Sequence, residues 1–258
     1  MRNSLTLLAL ACAGASASAA DFGNDDLVRQ GRLVFEKTFT QAEQDRLTPL
    51  VVGALDNIVA FYGERKGTTP DFFFCKSTDC ARHLAGKDWR SFTTIKPRYY
   101  YDGKYYFERT SVVINHLVGN PKIGDARLQS VLTHELSHVE IYTRAGGRSM
   151  PAWFNEGLST VAEGRSCQPG TQGIEDLNKL ADTREWHDYT RPNGGKGDAT
   201  YCQATLEVQA WAGQHGGFAA VFDLLAKLPK KNFNSLYGGL VTQHAPVANP
   251  TGVEKNDG

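Results

Sequence analysis

Two histidines, His134 and His138, lie with Glu135 and Glu156 in the segment 132–157, LTHELSHVEIYTRAGGRSMPAWFNEG. His134 and His138 are four residues apart, so on a helix both side chains project from the same face. Two imidazoles placed in this way can bind one zinc ion. Glu135, one position further round, can serve as a general base without being a ligand. The H-E-x-x-H spacing therefore predicts a zinc site with a hydrolytic function.

A catalytic zinc site usually has three protein ligands, so the two histidines need one more. The metzincin pattern has Gly three residues and His six residues after the second histidine. Here those positions hold Ile141 and Arg144, which excludes that pattern. The other branch of zinc proteases takes its third ligand from a glutamate on the next helix, and Glu156 is placed for this role. A glycine-containing turn separates two predicted helices, and it would let the second helix fold back on the first.

These residues carry a resemblance to a known family. HELSH followed by PAWFNEGLSTVAEG resembles the gluzincin zinc peptidases, and most closely the peptidase MA-like group. That group has its third ligand in a W-x-x-E-G segment. TYCQATLEVQAWAGQHGGFAAVFDLLAKL is similar to the family's C-terminal helical segment. The resemblance implies one zinc ion bound by His134, His138 and Glu156, with Glu135 as the base.

The resemblance also implies a side chain that stabilises the oxyanion formed during hydrolysis. Tyr201 occupies the position similar to that of the family's tyrosine. His187 and Tyr189, in the preceding segment, are alternatives for the same role. Simple packing beside Cys202 explains Tyr201 equally well, so its assignment as a catalytic residue stays open at this point.

Two further polar residues lie on the predicted helix that carries Glu156. Thr160 and Glu163 share a face with Glu156 and could orient a ligand histidine through its second ring nitrogen. An ordinary solvated helix face would carry the same residues. The sequence alone does not separate these two interpretations.

The elements that must position these residues are predicted from apolar periodicity. The pattern favours a helix over 125–144 and a second helix from Pro151 to about 163. We expect an α+β fold, with a small mixed sheet, zincin-type active-site helices and a mostly helical C-terminal lobe. Other expected helices cover 26–65 (broken near Thr48 and Pro49), 79–85, 174–181, 201–214, 218–228 and 232–243, and expected strands cover 71–75, 105–107 and 111–115.

The chain divides into four predicted regions. Residues 1–20, MRNSLTLLALACAGASASAA, have the charged start, short apolar core and small residues of a secretory signal peptide. A lipoprotein signal modified at Cys12 is the alternative, although Ala9 stands where such signals usually have Leu. The other regions are an N-terminal helix and strand region, 21–105, a zincin-like metallopeptidase domain, 106–243, and a flexible tail, 244–258.

Four cysteines follow the predicted signal peptide. An even number in an exported chain favours disulfides, here Cys75–Cys80 and Cys167–Cys202. Zinc binding by the four cysteines is the alternative, but their spacing lacks the paired C-x2-C arrangement of such sites. The sequence thus predicts a periplasmic or extracellular protein with two disulfide bonds.

The amino-acid composition of the chain limits the kinds of partner that it is expected to bind. Lys and Arg number 28, as do Asp and Glu, so the formal net charge is zero. Such a balance gives no electrostatic footprint for nucleic acid, and after residue 20 no segment is apolar enough to span a membrane. We therefore expect an exported zinc peptidase acting on a peptide or protein substrate. The alternatives are a zinc hydrolase of a non-protein amide, such as a cell-wall peptide, and a catalytically silent binding module with the same fold.

Overall fold

The computed structural model describes residues 23–85, 91–101, 104–114, 123–191 and 196–242. The predicted signal peptide, Cys12 and the predicted tail lie outside these residues. Within them the fold is α+β, as predicted, and none of the helices is long and apolar enough to cross a membrane. The strands are β1 (Leu27–Gln30), β2 (Leu33–Glu36), β3 (Asp71–Phe74), β4 (Phe92–Tyr101) and β5 (Lys104–Ile114). The helices are α1 (Gln41–Tyr62), α2 (Thr78–Ala85), α3 (Asp125–Arg144), α4 (Ala152–Ala162), α5 (Thr183–Tyr189), α6 (Gly197–Gln214), α7 (Phe218–Lys227) and α8 (Phe233–Tyr237).

The strands form one mixed sheet in the order β1-β2-β3-β5-β4. β2, β3 and β5 are parallel to one another, and β1 and β4 pair antiparallel with their neighbours. β3 pairs with the last four residues of β5, from Ser111 to Ile114. β4 and β5 form an antiparallel pair along almost their whole length. Residues 102–103, between these two strands, lie outside the described residues.

Alternating side chains of the strands enter two different cores, because successive residues of a strand point to opposite faces. Phe72 and Phe74 belong to the main core, which also takes in apolar residues of seven of the helices. Phe73 lies on the other face, in a small cluster with Val113 and the Cys75–Cys80 disulfide. The sheet therefore presents its larger apolar face to the helices that carry the histidine motif.

The prediction of helix from residue 26 is wrong for its first part, which forms the β1–β2 hairpin. Leu27 and Val34 are seven residues apart and fit a helical repeat, but Val34 and Phe35 also fit a strand buried on both faces. Parallel pairing of β2 with β3 decides between the two conformations. Gly31, with φ of 61°, makes the tight turn that joins β1 to β2.

The predicted break near Pro49 is also wrong, because α1 runs through it without interruption. Proline in a helix interior lacks one hydrogen-bond donor and costs about 3 kcal/mol. α1 offsets that cost by burying one face, including Leu47, Val51 and Ile58, against α3 and the sheet. Packing against residues that are distant in the sequence thus overrides the local tendency of proline to end a helix.

The two helices that carry His134, His138 and Glu156, and the two disulfides, follow the sequence prediction closely. α3 has the predicted bounds, and α4 begins directly after Pro151. The two predicted disulfides are present, with Cα atoms 5.5 Å apart in Cys75–Cys80 and 5.3 Å apart in Cys167–Cys202. The helix expected near 174–181 is a single 3-10 turn, Leu177–Leu180, and the last predicted helix is the short α8.

We predict that the C-terminal part of the fold depends on Glu207, a fully buried residue of α6. Its carboxylate accepts hydrogen bonds from the Tyr237 hydroxyl at 2.9 Å and from the backbone N–H groups of Val241 and Thr242 at 2.8 and 2.7 Å. Glu207→Ala leaves these donors unpaired, and we expect the free energy of unfolding to fall by about 3 kcal/mol or more. Urea denaturation measures the change. The exposed Gln209→Ala is the control and should stay within about 0.5 kcal/mol of wild type.

Candidate metal centre

The histidine motif lies on the buried face of α3. The His134 and His138 rings face each other edge to face, with centroids 4.8 Å apart. Their side chains are 11% and 13% exposed, and that of Glu156 is 10% exposed. The helical spacing of four residues therefore brings both rings to one place, as predicted.

His134 lies between two carboxylates. Its Nε2 atom is 3.2 Å from Glu156 Oε2, and its Nδ1 atom is 3.3 Å from Glu163 Oε2. Burial opposes a charge on this ring, but the hydrogen bonds and negative charges of Glu156 and Glu163 outweigh it and raise the His134 pKa to about 10. Without a metal, the ring is therefore an imidazolium at neutral pH.

His138 is oriented by neutral groups instead. Its Nδ1 atom is 3.1 Å from Asn155 Oδ1 and 3.1 Å from Ser159 Oγ. A proton on Nδ1 lets the ring donate to Asn155 and leaves Nε2 available for a metal. That Nε2 atom is 3.8 Å from Glu156 Oε2. Asn155 and Ser159 lie one turn apart on α4, so the helix that carries Glu156 also supplies the hydrogen-bond partners of His138.

Glu156 reaches the histidines because α4 packs closely on α6. A Cβ atom added at Gly157 would lie 2.5 Å from the backbone oxygen of Ala204 on α6. Only glycine permits this approach, which gives a physical reason for glycine directly after Glu156. At the other end of α4, Trp153 and Phe154 are buried against Phe233 and Tyr237.

The donor atoms of His134, His138 and Glu156 fit a metal ion. They lie within 4.8 Å of one another, so a single ion can contact all three. Two imidazoles and one carboxylate are a common protein ligand set for catalytic zinc. The Nδ1 atom of His138 has hydrogen-bond partners in Asn155 and Ser159, and that of His134 has the Glu163 carboxylate 3.3 Å away. Groups in such positions orient metal-binding histidines in general. The described residues therefore contain a buried group that could hold a metal ion.

Glu135 lies beside this group and is fixed by a strand. The Thr93 hydroxyl, on the edge strand β4, is 2.9 Å from Glu135 Oε2 and 2.7 Å from the Glu135 backbone oxygen. A single hydroxyl proton can serve either acceptor. Sequence reasoning missed Thr93, and no local signal points to it, because the two residues are 42 positions apart.

Of Thr160 on α4 and Glu163 at its end, the two candidates for orienting a histidine, Glu163 contacts His134 and Thr160 contacts neither histidine through a hydrogen bond. Glu163 Oε2 faces His134 Nδ1, and its Oε1 atom accepts a hydrogen bond from Arg165 Nε at 2.6 Å. These partners lower the Glu163 pKa, although burial of the carboxyl opposes the shift. The Thr160 hydroxyl is buried and makes no hydrogen bond within the described part of the chain. Of the two interpretations left open by the sequence, a hydrogen bond from Thr160 to a histidine is therefore not found.

The three candidates for the oxyanion donor lie in different surroundings. The Tyr201 ring lies 6.3 Å from the His134 ring, centroid to centroid, and 5.0 Å from the Trp186 ring. The Tyr189 hydroxyl donates to the Gly173 backbone oxygen at 2.8 Å. His187 lies on α5, next to the buried Trp186. Tyr201 thus adjoins a ligand histidine, and its role as a donor stays a prediction.

A second cluster of possible ligands, Glu36 with Cys75 and Cys80, has a structural explanation. The two cysteines form a disulfide and have no thiolate to offer a metal. The Glu36 carboxylate accepts hydrogen bonds from the backbone N–H groups of Lys76 and Ser77 at 2.7 and 2.9 Å. Within the described residues, the histidine group on α3 and α4 is therefore the better candidate metal centre.

Comparison of the chain with protein-family models, with curated proteins and with solved structures finds no match.

We predict that metal binding releases a proton from His134. The folded pKa of about 10 lies above the ordinary value of 6.5, so the ring holds two protons at neutral pH. A metal can bind Nε2 only after that nitrogen loses its proton. The logarithm of the zinc affinity should therefore rise with pH by about one unit per pH unit between pH 6 and 8. Chelator competition at several pH values measures this slope, and an affinity independent of pH would contradict the prediction.

We also predict that Gly157→Ala weakens metal binding. The added methyl group meets the backbone of α6, which must move or push α4 and Glu156 away from the histidines. We expect a loss of stability of about 1–3 kcal/mol and a lower zinc affinity. Gly213→Ala is the matched control on α6, where a Cβ atom meets nothing within 4 Å. It should stabilise the helix by up to about 1 kcal/mol and leave the zinc affinity unchanged.

Proposed function

We propose that this protein is a zinc-dependent peptidase that cleaves peptide bonds in an exported compartment. The observation that carries the proposal is the convergence of the donor atoms of His134, His138 and Glu156 within 4.8 Å of one another, with Glu135 directly after His134 in the chain. Two imidazoles, a carboxylate ligand and an adjacent unligated carboxylate are the parts that metal-assisted hydrolysis needs. The resemblance to the gluzincin peptidases rests on the same residues.

In this proposal the residues have separate tasks. His134, His138 and Glu156 would hold a zinc ion, which would supply polarisation of the scissile carbonyl group and would make water a better nucleophile at neutral pH. Glu135 accepts a proton from the attacking water and passes it to the nitrogen of the leaving amine. Thr93 donates to Glu135 Oε2 and limits the orientations of that carboxylate. Tyr201 is the proposed donor to the oxyanion, because its ring adjoins His134.

Export is part of the proposal because of the disulfides. Two cysteine pairs are at bonding distance, which is typical of proteins in oxidising compartments. The sequence pattern of residues 1–20 supports the same conclusion. The substrate is proposed to be a peptide or protein, since the chain carries no net charge that would favour nucleic acid.

Glu135→Gln tests the proposal. Glutamine keeps the shape of the side chain but cannot accept the proton, so we expect zinc content to stay near wild type and peptide cleavage to fall by about 10²-fold or more. Zinc content is measured by atomic emission, and cleavage with casein and with a peptide library. Glu185→Gln, on the exposed part of α5, is the control and should behave as wild type.

The outcomes separate the proposed peptidase from its alternatives. Wild-type cleavage of cell-wall peptides, but of neither casein nor the library, would replace the peptidase with a hydrolase of non-protein amides. Zinc bound by the wild type without cleavage of any of these substrates would favour a binding module. Undiminished cleavage by Glu135→Gln would remove Glu135 from the mechanism.

A further inference from the structure

Glu163, the partner of His134, is not held by helix α4 alone. α4 ends at Ala162, and Glu163 is the residue that caps it. Gly164 then has φ of 77°, a left-handed conformation that turns the chain away from the helix axis. The Glu163 side chain is nevertheless only 2% exposed. Residues outside α4 must therefore keep its carboxylate in place.

Arg165 makes the closest of the contacts that keep the Glu163 carboxylate in place, and it makes this contact through one carboxylate oxygen. Its Nε atom donates to Glu163 Oε1 at 2.6 Å, which leaves Oε2 to face His134. Arg127 of α3 adds a weaker contact, with its Nη1 atom 3.7 Å from the same oxygen. The Arg165 guanidinium also lies over the Tyr201 ring, 5.7 Å from its centroid. Arg165 therefore joins the support of His134 to helix α6.

The segment that carries Arg165 has no helix or strand of its own until the turn at 177–180, and side-chain links hold it to α6. The Cys167–Cys202 disulfide lies two residues after Arg165 and one residue after Tyr201. Further along, Gln203 Oε1 accepts from the backbone N–H groups of Gly173 and Ile174 at 2.8 and 2.9 Å. Arg165 itself contacts α6 through Tyr201 and Asp198, whose Oδ1 is 3.6 Å from Arg165 Nη1, and its backbone N–H donates to the Thr160 oxygen of α4 at 3.4 Å. The disulfide is the covalent link nearest to Arg165, and it keeps this segment beside α6.

We propose that the Cys167–Cys202 disulfide controls metal affinity: it holds Arg165 against Glu163, and Glu163 in turn holds His134. This inference rests on the proposed metal site. An external dithiol would reduce the disulfide by supplying two electrons and two protons, and would itself become a disulfide. Reduction frees the segment after α4, loosens the Arg165–Glu163 contact and weakens metal binding.

The two disulfides differ in their access to a reductant. Cys75 and Cys80 are fully buried in the small core on the far face of the sheet. Cys167 and Cys202 are both partly exposed. A dithiol therefore reaches the disulfide near the metal site first, and the other disulfide provides a matched control within the same chain.

The test measures zinc affinity by competition with a chromophoric chelator at pH 7. It compares wild type with Cys167→Ala/Cys202→Ala, with Cys75→Ala/Cys80→Ala and with Arg165→Gln. Alanine variants replace chemical reduction because dithiols bind zinc themselves. We expect Cys167→Ala/Cys202→Ala and Arg165→Gln each to weaken zinc binding about tenfold, the size of effect typical of groups that orient a ligand. Combining all three substitutions should add little, because they act through the same contact.

A spectroscopic measurement separates this role from a general loss of stability. In the cobalt-loaded protein, His134 and His138 each contribute one exchangeable ring N–H proton signal that the metal shifts far from the rest of the spectrum. Cys167→Ala/Cys202→Ala should change the His134 signal, whose partner is Glu163. The His138 signal, whose partners are Asn155 and Ser159, should stay as in wild type.

Three outcomes would overturn the inference. Wild-type affinity in a folded Cys167→Ala/Cys202→Ala protein is one, and an equal loss in Cys75→Ala/Cys80→Ala is another. Should the first double variant fail to fold, Arg165→Gln decides, since it keeps the disulfide and must still lose affinity. A wild-type protein that binds no zinc would instead refute the proposed metal site, and this inference with it.

Discussion

The position of His134 between two buried carboxylates is the constraint on which the site depends. Removing charges from water costs several kcal/mol each unless opposite charges or hydrogen bonds compensate them. Without a metal, the imidazolium of His134 supplies one positive charge, and Arg165 balances the far oxygen of Glu163. A divalent cation would take over the same task between Glu156 and the two histidines. The geometry thus explains both the raised pKa of His134 and the fitness of the group for a metal.

Other buried glutamates in this protein have structural roles, which sets the site apart. Glu36, Glu140 and Glu207 each accept hydrogen bonds from two consecutive backbone N–H groups of a distant segment. Each carboxylate therefore fixes a connection to the fold, as a cap fixes the start of a helix. Glu156 and Glu163 instead face an imidazole. The contacts of a buried carboxylate, and not its burial, distinguish a candidate ligand from a structural residue.

Most of the correct predictions came from the spacing of residues that are close together in the sequence. The bounds of α3, the start of α4 and the approach of Glu156 to the histidines follow from helical periodicity and a turn. Contacts between distant segments were not predictable: the Thr93–Glu135 hydrogen bond has no local signature, and the continuity of α1 through Pro49 depends on its packing against α3. Asn155 falls between these two cases. Its position next to Glu156 is evident from the sequence, but its contact with His138 is not. Zinc, peptidase activity and export remain predictions.

X-ray absorption at the zinc edge of the purified, zinc-loaded protein tests the central claim most directly. The spectrum reports the elements bound to the metal and their distances. We predict about one zinc ion per chain with only nitrogen and oxygen neighbours at about 2.0–2.2 Å, and with the outer-shell scattering of two imidazole rings. Sulfur at about 2.3 Å, or a single imidazole, would contradict the assignment of His134, His138 and Glu156 as the ligands.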